Sequence, residues 1–293
     1  MSPLAFALVL ASAALHAIWS ATIKRSGHPL AFNWLQVVLG TTGLWLALPW
    51  IPWASVPTEV WVTMGATGVA HSAYMYWMAR AYEGGDLSLV YPIARSTPAF
   101  LPFLAVPLLG EEIRLGGALG IAVVVLGIWC VHLGPETRGS ALRSQAARFA
   151  YLTLGATVVY SLLDKHAMHT LGETENPGPL PWAIVYSLLY HAFDASFLTV
   201  LVVRRMGWSR LRAEIRPQLR TAAMAAAISF VGYALILWAY ESALASYVVA
   251  VRQVSVLFAV GLGIVWLGER PGRARVWGAV LTVIGIALIA RFG

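Results

Sequence analysis

Ten stretches of this chain are dominated by hydrophobic residues, and each is about as long as a helix that crosses a bilayer. The hydrocarbon core of a membrane requires roughly 20 apolar residues per helix. Polar and basic residues collect in the segments between the stretches, so the pattern predicts an all-α integral membrane protein with ten transmembrane helices. The predicted spans lie at about residues 3–23, 30–50, 60–80, 88–109, 115–133, 149–167, 182–203, 221–240, 247–267 and 274–291.

Composition supports the same class of protein. The chain is 59% hydrophobic and 11% charged, whereas about 25% of the residues in a soluble domain are charged. A net charge of +7 would indicate nucleic-acid binding in a soluble protein. Here the basic residues flank apolar stretches, so we predict no nucleic-acid partner. The single cysteine, Cys130, excludes a disulfide framework, and we predict neither a metal nor a cofactor.

Basic residues are distributed unevenly between the loops of the predicted bundle. Fifteen of the twenty lysine and arginine residues fall in the loops after spans 1, 3, 5, 7 and 9. The positive-inside rule therefore places these loops in the cytoplasm and both termini outside, in a multi-pass protein of the bacterial inner membrane. Six of the arginines lie between residues 204 and 220, where we expect contacts with the headgroups of membrane lipids.

The two halves of the chain repeat one another at an offset of 158 positions. The matching positions are 81–83 with 239–241 (Ala-Tyr-Glu), 110–111 with 268–269 (Gly-Glu), 120 with 278 (Gly) and 127–128 with 285–286 (Gly-Ile). We therefore predict two five-helix repeats, at residues 1–137 and 138–293. Because five is an odd number, the repeats must be inverted in the bilayer. Secondary transporters use this arrangement to build two related gates around a site near the midplane.

Four blocks of sequence resemble the EamA family of the drug/metabolite transporter superfamily. They are A-L-H-A-I-W-S-A-T-I-K-R at 14–25, S-L-V-Y-P-I-A-R-S-T-P at 88–98, G-E at 110–111 and L-G-E-R-P at 267–271. The resemblance covers essentially the whole chain in two copies. It implies a ten-helix transporter with a central cavity between its halves, commonly one that exports amino acids or other small metabolites. It also implies cytoplasmic termini, opposite to the orientation that the arginine count predicts.

Arg95 is the most unusual residue within the predicted spans, because it lies in an apolar stretch between Pro92 and Pro98. An arginine at the centre of a lipid-facing helix costs at least ~2.5–3.5 kcal/mol, so such residues normally face the bundle interior. The prolines remove backbone donors and free carbonyl groups to line a cavity. Guanidinium groups bind carboxylates and phosphates through two hydrogen bonds, so we predict a substrate with an anionic group. The predicted ligands are Arg95 and Tyr91 of span 4, and Arg252, Gln253 and Ser255 in the related turn of span 9.

Polar residues with helical spacing in other spans are further candidates for the cavity wall. They are His16 and Trp19 in span 1, His71 and Tyr74 in span 3, Tyr160 and Asp164 in span 6, and Tyr233 in span 8. Helix packing remains an alternative role for each of them. In that alternative the two arginines form ion pairs with buried acids such as Asp164 or Asp194. His191 and Asp194 are spaced to bond to each other or to relay protons.

Two related glutamates, Glu111 and Glu269, precede spans 5 and 10. A negative charge there meets the positive end of the following helix dipole. We therefore predict that each glutamate caps the helix that follows it.

These observations predict a secondary transporter that moves a small metabolite by alternating access. The solute is an amino acid or another molecule with a carboxylate or other anionic group, and a proton or another ion is the possible coupling partner. The sequence has no G-x-x-x-x-G-K-[ST] motif that would indicate an ATPase. The alternative is an intramembrane transferase that acts on a lipid-linked group with histidine and aspartate side chains.

Overall fold

A computed structural model describes residues 1–24, 26–84, 87–132, 141–258, 261 and 272–293. The described residues form helices and short turns and contain no strand. The predicted repeat boundary at 137/138, Glu269 and most of the last third of predicted span 9 lie outside them.

The first half of the chain forms seven helical segments. They are α1 (Pro3–Lys24), α2 (Pro29–Gly40), α3 (Thr42–Ala47), α4 (Thr58–Gly84), α5 (Leu87–Ala94), α6 (Thr97–Leu109) and α7 (Leu115–His132). The short 3₁₀ turns Leu48–Trp50 and Trp53–Ser55 connect α3 to α4. Pro29 begins α2, where a missing backbone donor has no cost.

The described part of the second half forms five helices. They are α8 (Gln145–Gly172), α9 (Trp182–Met206), α10 (Trp208–Ser242), α11 (Ala245–Val251) and α12 (Arg273–Phe292). A 3₁₀ turn, Arg252–Val254, follows α11 directly. Gly207 separates α9 from α10 with a φ of 77°, a conformation that glycine adopts without strain.

Five described segments are long and apolar enough to cross a membrane, and four shorter apolar helices accompany them. The long segments are Pro29–Trp50, Leu89–Leu109, Gln145–Gly172, Trp182–Met206 and Trp208–Ser242. The shorter ones are Pro3–Trp19, Leu115–Val131, Ala245–Phe258 and Val276–Phe292. Predicted span 3 corresponds to α4, which is not among these nine segments. The fold is that of a helical multi-pass membrane protein, and the count of ten spans stays a prediction.

Helix packing follows the same plan in the two halves. α1 packs on α10, and its repeat-related partner α8 packs on α4. α4 also packs on α9, as α10 does on α2. α7 and α12, the last helices of the two halves, pack on each other. This pairing is what duplicated halves would produce, while their inverted orientation stays a prediction.

The repeated glycines lie where α7 and α12 pack closely. A Cβ on Gly120 would approach the carbonyl oxygen of Gly285 to 2.8 Å, and one on Gly127 would approach that of Gly278 to the same distance. Small residues at such positions let two membrane helices pack backbone to backbone. The glycine matches between the two repeats therefore correspond to a helix contact.

Two helices are interrupted at related positions. The break between α5 and α6 contains Arg95 and Ser96. The Ser96 hydroxyl donates to the carbonyl oxygen of Pro92 at 2.6 Å and accepts from Trp129 Nε1 at 3.0 Å. In the second half, the 3₁₀ turn that begins at Arg252 interrupts the corresponding helix. Arg95 and Arg252 thus both lie at breaks in helices, and the prolines around Arg95 predicted the first of these breaks.

Glu111 caps a helix, but not the one that we predicted. Its carboxylate accepts hydrogen bonds from the backbone N–H groups of Ala245 and Ser246 and from the Ser246 hydroxyl, the last at 2.5 Å. It therefore caps α11 in the other half rather than α7. The cause is local, because Gly110 ends α6 in a left-handed conformation and the turn carries Glu111 to the start of α11. Residue 244, the N-cap of α11, is a leucine and provides no side-chain cap.

Candidate functional site

A small central cavity lies between the two halves and has a water-accessible volume of about 30 Å³. A buried water needs at least about 10–15 Å³ by this measure, so the cavity holds roughly two waters. Its lining comes from α1, α4, α8, α9, α10 and the 3₁₀ turn after α11. The lining residues are Ser12, His16, Trp19, His71, Tyr74, Met75, Tyr160, Tyr190, Ile228, Ser229, Gly232, Tyr233 and Arg252.

Seven of the twelve residues predicted for the site line this cavity. They are His16, Trp19, His71, Tyr74, Tyr160, Tyr233 and Arg252. The other five, Tyr91, Arg95, Asp164, Gln253 and Ser255, do not line it. The structure therefore brings together residues from four predicted spans and from one helix break.

Arg95 is connected to the cavity through His16. Its Nη2 donates a hydrogen bond to His16 Nε2, and the guanidinium carbon lies 5.2 Å from the centre of the Tyr91 ring. The His16 ring itself packs against Trp19, with ring centres 4.8 Å apart. Arg95 therefore forms the layer behind His16, one residue further from the cavity than we predicted.

Arg252 lines the cavity directly. Its Nε is buried and makes no hydrogen bond to any described residue. Within the described part of the chain, neither Arg252 nor Arg95 has a carboxylate within 4 Å. The alternative in which buried acids neutralise the two arginines thus finds no support in these residues.

Gln253 and Ser255 lie beside Arg252 but point away from the cavity. The Gln253 side-chain amide donates to the carbonyl oxygen of Val249 at 3.1 Å, inside its own helix. Gln253 Oε1 and Ser255 Oγ are buried and find no hydrogen-bond partner among the described residues. The helical register explains the direction of Gln253, because successive positions of a helix face different sides.

Asp164 lies behind the cavity wall and is fully buried. Its carboxylate accepts hydrogen bonds from Thr67 Oγ1 at 3.0 Å, from Tyr186 at 2.8 Å and from Tyr233. Three neutral donors therefore solvate this acid in place of an arginine. Through its bond to the Tyr233 hydroxyl, Asp164 fixes the orientation of the Tyr233 ring that lines the cavity.

Asp194 has a similar position behind His71. It accepts from Ser72 Oγ at 2.8 Å and lies 2.7 Å from His71 Nδ1. The predicted pairing of Asp194 with His191 is wrong, because His191 Nδ1 instead lies 2.6 Å from the carbonyl oxygen of Ser187, one turn earlier in α9. The two helical neighbours are directed to different sides of α9.

Tyrosine rings surround His71. The centres of the Tyr74, Tyr160, Tyr190 and Tyr233 rings lie 5.3–5.7 Å from that of His71. A second cavity of about 10 Å³ borders the same histidine on its other side. It is lined by Gln36, Val37, His71, Met75, His191, Ala226 and Ser229.

Sequence reasoning missed several lining residues. Ser12 is four positions before His16, and Met75 is four positions after His71, so helical spacing from the predicted residues could have identified both. Tyr190 gave no such signal, because no predicted residue of α9 shares its face. Ser12 also bonds across the halves, from its hydroxyl to the carbonyl oxygen of Gly232 at 2.6 Å.

Comparisons with known proteins identify the family and the fold. A family model described as the EamA-like transporter family matches residues 3–133 and 181–291. A solved structure described only as "Crystal structure of protein" aligns with a TM-score of 0.69 at 17% sequence identity, over 98% of this chain and 96% of that one. At such identity the alignment shows a shared fold. No curated protein matches the chain.

Proposed function

Because the chain belongs to the EamA-like transporter family, within the drug/metabolite transporter superfamily, we propose that it is a secondary transporter for a small solute with an anionic group, foremost an amino acid. Solute crosses the bacterial inner membrane by alternating access through the central cavity. The observation that carries the proposal is the pair of arginines, Arg95 and Arg252, at the two helix breaks beside this cavity.

The arginines support an anionic group because their charges lack a counter-charge. A buried ion without a partner costs several kcal/mol. Arg95 and Arg252 have no carboxylate within 4 Å among the described residues. A carboxylate of the solute, bound at Arg252 and at His16 in front of Arg95, would supply the missing charge. Guanidinium groups hold such anions with two parallel hydrogen bonds.

Two carboxylates behind the cavity lining support an amino acid over a simple anion. His71 and Tyr233 line the cavity, and each is hydrogen-bonded to a fully buried carboxylate, Asp194 and Asp164 respectively. The cavity therefore has Arg252 in its lining and carboxylates behind two other lining residues. A zwitterion matches this polarity, with its carboxylate toward Arg252 and its ammonium group toward His71 and Tyr233.

The size of the cavity supports alternating access. Space for roughly two waters is far too small for an amino acid, so solute must bind in a conformation with a wider cavity. Solute must enter and leave through more open states. Helices broken beside the site, and halves that pack by one plan, are features that other secondary transporters use for such opening.

The family favours a transporter over the transferase alternative. Proteins of the EamA-like family are transporters rather than enzymes. The histidine and the two aspartates on which a transferase would rely bind side chains of the cavity wall. A solute-binding role accounts for these residues without a chemical step.

Flux measurements in proteoliposomes test the proposal. Liposomes with purified protein and unlabelled solute inside are presented with radiolabelled amino acids, one at a time, and with radiolabelled dicarboxylates. We expect at least one amino acid to accumulate by exchange above the level of protein-free liposomes. The variant Arg291→Gln, at an exposed position near the end of α12, should behave as the unmodified protein. Exchange of dicarboxylates alone would reject the amino acid, and no exchange of any solute would reject the transporter.

A further inference from the structure

His71 and Asp194 form a buried acid–base pair at the wall of the central cavity. His71 Nδ1 lies 2.7 Å from one carboxylate oxygen of Asp194, and Ser72 Oγ donates to the other at 2.8 Å. Asp194 is fully buried. Among the described residues, no lysine or arginine lies within 4 Å of it. His71 is therefore the group in contact with Asp194 that can supply a compensating positive charge.

Backbone packing holds the pair in place. Gly68, one turn before His71, lets α4 approach α9 so closely that a Cβ there would lie 3.0 Å from the backbone nitrogen of Asp194. Ser72 bonds to the backbone carbonyl oxygen of Asp194 as well as to its carboxylate, at 2.9 Å. The two partners thus cannot separate unless α4 and α9 move apart.

We propose that this pair binds one exchangeable proton, taken up at His71 Nε2, and that this proton is the coupling ion of the transport proposed above. An ionised Asp194 accepts from Nδ1–H, which leaves Nε2 as the ring nitrogen that can gain a proton. Gain of the proton converts the pair from a net charge of −1 to zero. Loss of the proton to water restores the negative charge.

Two cavities with room for water border His71. His71 lines the central cavity of about 30 Å³ and also the second cavity of about 10 Å³. Met75 and Ser229 border both cavities as well. Cavities of these sizes hold roughly two waters and one water. A proton therefore needs only a short chain of waters to move between bulk solvent and His71 Nε2 when either side opens.

The groups packed around the pair leave its charge uncompensated. The titratable residues that face it are Tyr74 on α4, Tyr160 and Asp164 on α8, Tyr190 and His191 on α9, and Tyr233 on α10, whereas α2 and α3 contain none. Asp164 adds negative charge and is held by three hydroxyl groups. His191 is bonded to its own helix. Arg252, which lines the same cavity as His71, is a permanent cation and makes no ion pair with Asp194.

The coupling follows from charge. A solute whose carboxylate lies at Arg252 directs its ammonium group toward the wall that contains His71. The unprotonated pair attracts that ammonium group, and the protonated pair does not. Proton and solute therefore bind in alternation, which gives exchange of one proton for one solute molecule. This step rests on the proposed function, whereas the proton site itself does not.

Nuclear magnetic resonance tests the site without any transport. Protein with ¹⁵N-labelled histidine is titrated in detergent, and the His71 signals are assigned by their absence in His71→Gln. We expect the Nε2 signal of His71 to titrate while the protein is folded. In Asp194→Asn the response of this signal to pH should change, because the carboxylate that accepts Nδ1–H is gone. A signal that does not respond to pH, or that titrates identically in Asp194→Asn, overturns the proposal.

A pH gradient tests the coupling. Proteoliposomes with an acidic lumen, equal potassium on both sides and valinomycin take up the amino acid that the unmodified protein exchanges. One-for-one exchange predicts about tenfold accumulation per pH unit of gradient. His71→Gln should lose its dependence on the pH gradient, so that any uptake it retains stops at the outside concentration, while His169→Gln, at an exposed position, should accumulate normally. Accumulation by His71→Gln equal to that of the unmodified protein contradicts coupling at this pair. Failure of the unmodified protein to exchange any amino acid contradicts the proposed function, and the magnetic resonance result still decides the proton site.

Discussion

At the scale of single residues, the site consists of two layers. Side chains in contact with the cavity are mostly aromatic rings and histidines, together with Arg252. Charged side chains in the second layer orient them, as Arg95 does for His16 and Asp164 for Tyr233. The second layer already holds the contact groups in position. Solute binding therefore requires little further loss of side-chain flexibility.

Arg95 gives a prediction at this scale. Arg95→Lys retains the positive charge but loses the planar guanidinium fork that orients His16 at the cavity. Loss of one charge-assisted hydrogen bond costs ~1.5–3 kcal/mol, so binding should weaken roughly 10- to 150-fold. Competition binding with the transported amino acid on detergent-purified protein measures the change. Unchanged affinity would show that the second layer does not contribute to binding.

The sequence predicted this layer only in part. Arg95 and Asp164 were recognisable as polar residues within apolar stretches, and so were placed in the bundle interior. Their partners were not recognisable, because Thr67 and Tyr186 are ordinary residues of membrane helices, and only three-dimensional packing directs them to Asp164. Arg95 itself was predicted one layer too close to the solute, because helical spacing gives a direction but not a depth.

At the scale of elements, the two halves are joined by a cap that crosses between them. Glu111 ends the turn after α6, yet it accepts the backbone N–H groups at the start of α11. The same turn contacts α11 again where the backbone N–H of Arg114 donates to the Tyr247 hydroxyl at 3.2 Å. Because α11 leads directly to Arg252, this cap helps to fix the position of the arginine that lines the cavity.

Glu111→Ala should therefore destabilise the protein. Removal of a helix N-cap costs about 0.5–2 kcal/mol. Glu111 is only 4% exposed, so water does not compete with this cap. A lower midpoint of thermal unfolding in detergent measures the loss. The matched control is Glu112→Ala, at the adjacent exposed position, which should leave the midpoint unchanged. Equal effects of the two substitutions would contradict a specific role for the cap.

Helix positions were predictable from the sequence, whereas this contact was not. Apolar stretches and prolines located the helices and the break at Arg95, because both features act within a few residues. α4 was predicted as span 3 although Thr67, His71 and Ser72, which face the interior, reduce its hydropathy. The cap by Glu111 joins residues about 130 positions apart, and its sequence signal was identical to that of a local cap.

At the scale of the whole molecule, the distribution of arginines predicts the orientation of the protein in the membrane. The six arginines between residues 204 and 220 lie at the end of α9 and the start of α10, and all six are exposed. Their position beyond the apolar part of α10 suits contact with the anionic lipids of the cytoplasmic leaflet. Both termini would then lie on the opposite side, together with Glu111 and its cap.

A reporter fused after Gly293 tests this orientation. The excess of arginine in the odd-numbered loops predicts a C-terminus outside the cytoplasm. Alkaline phosphatase should therefore be active at this position, and green fluorescent protein should be dark. The opposite result would reverse every inward and outward assignment while it left the fold unchanged.

The most direct test of the central claim is uptake into proteoliposomes by Arg95→Gln. The account predicts that this variant inserts, elutes as one species like the unmodified protein, and exchanges the transported amino acid no faster than protein-free liposomes. The charge next to His16 would then be required for solute exchange and not for folding. Exchange at the unmodified rate would show a dispensable charge, failure to fold would show a structural one, and either result would contradict a solute site built on the two arginines.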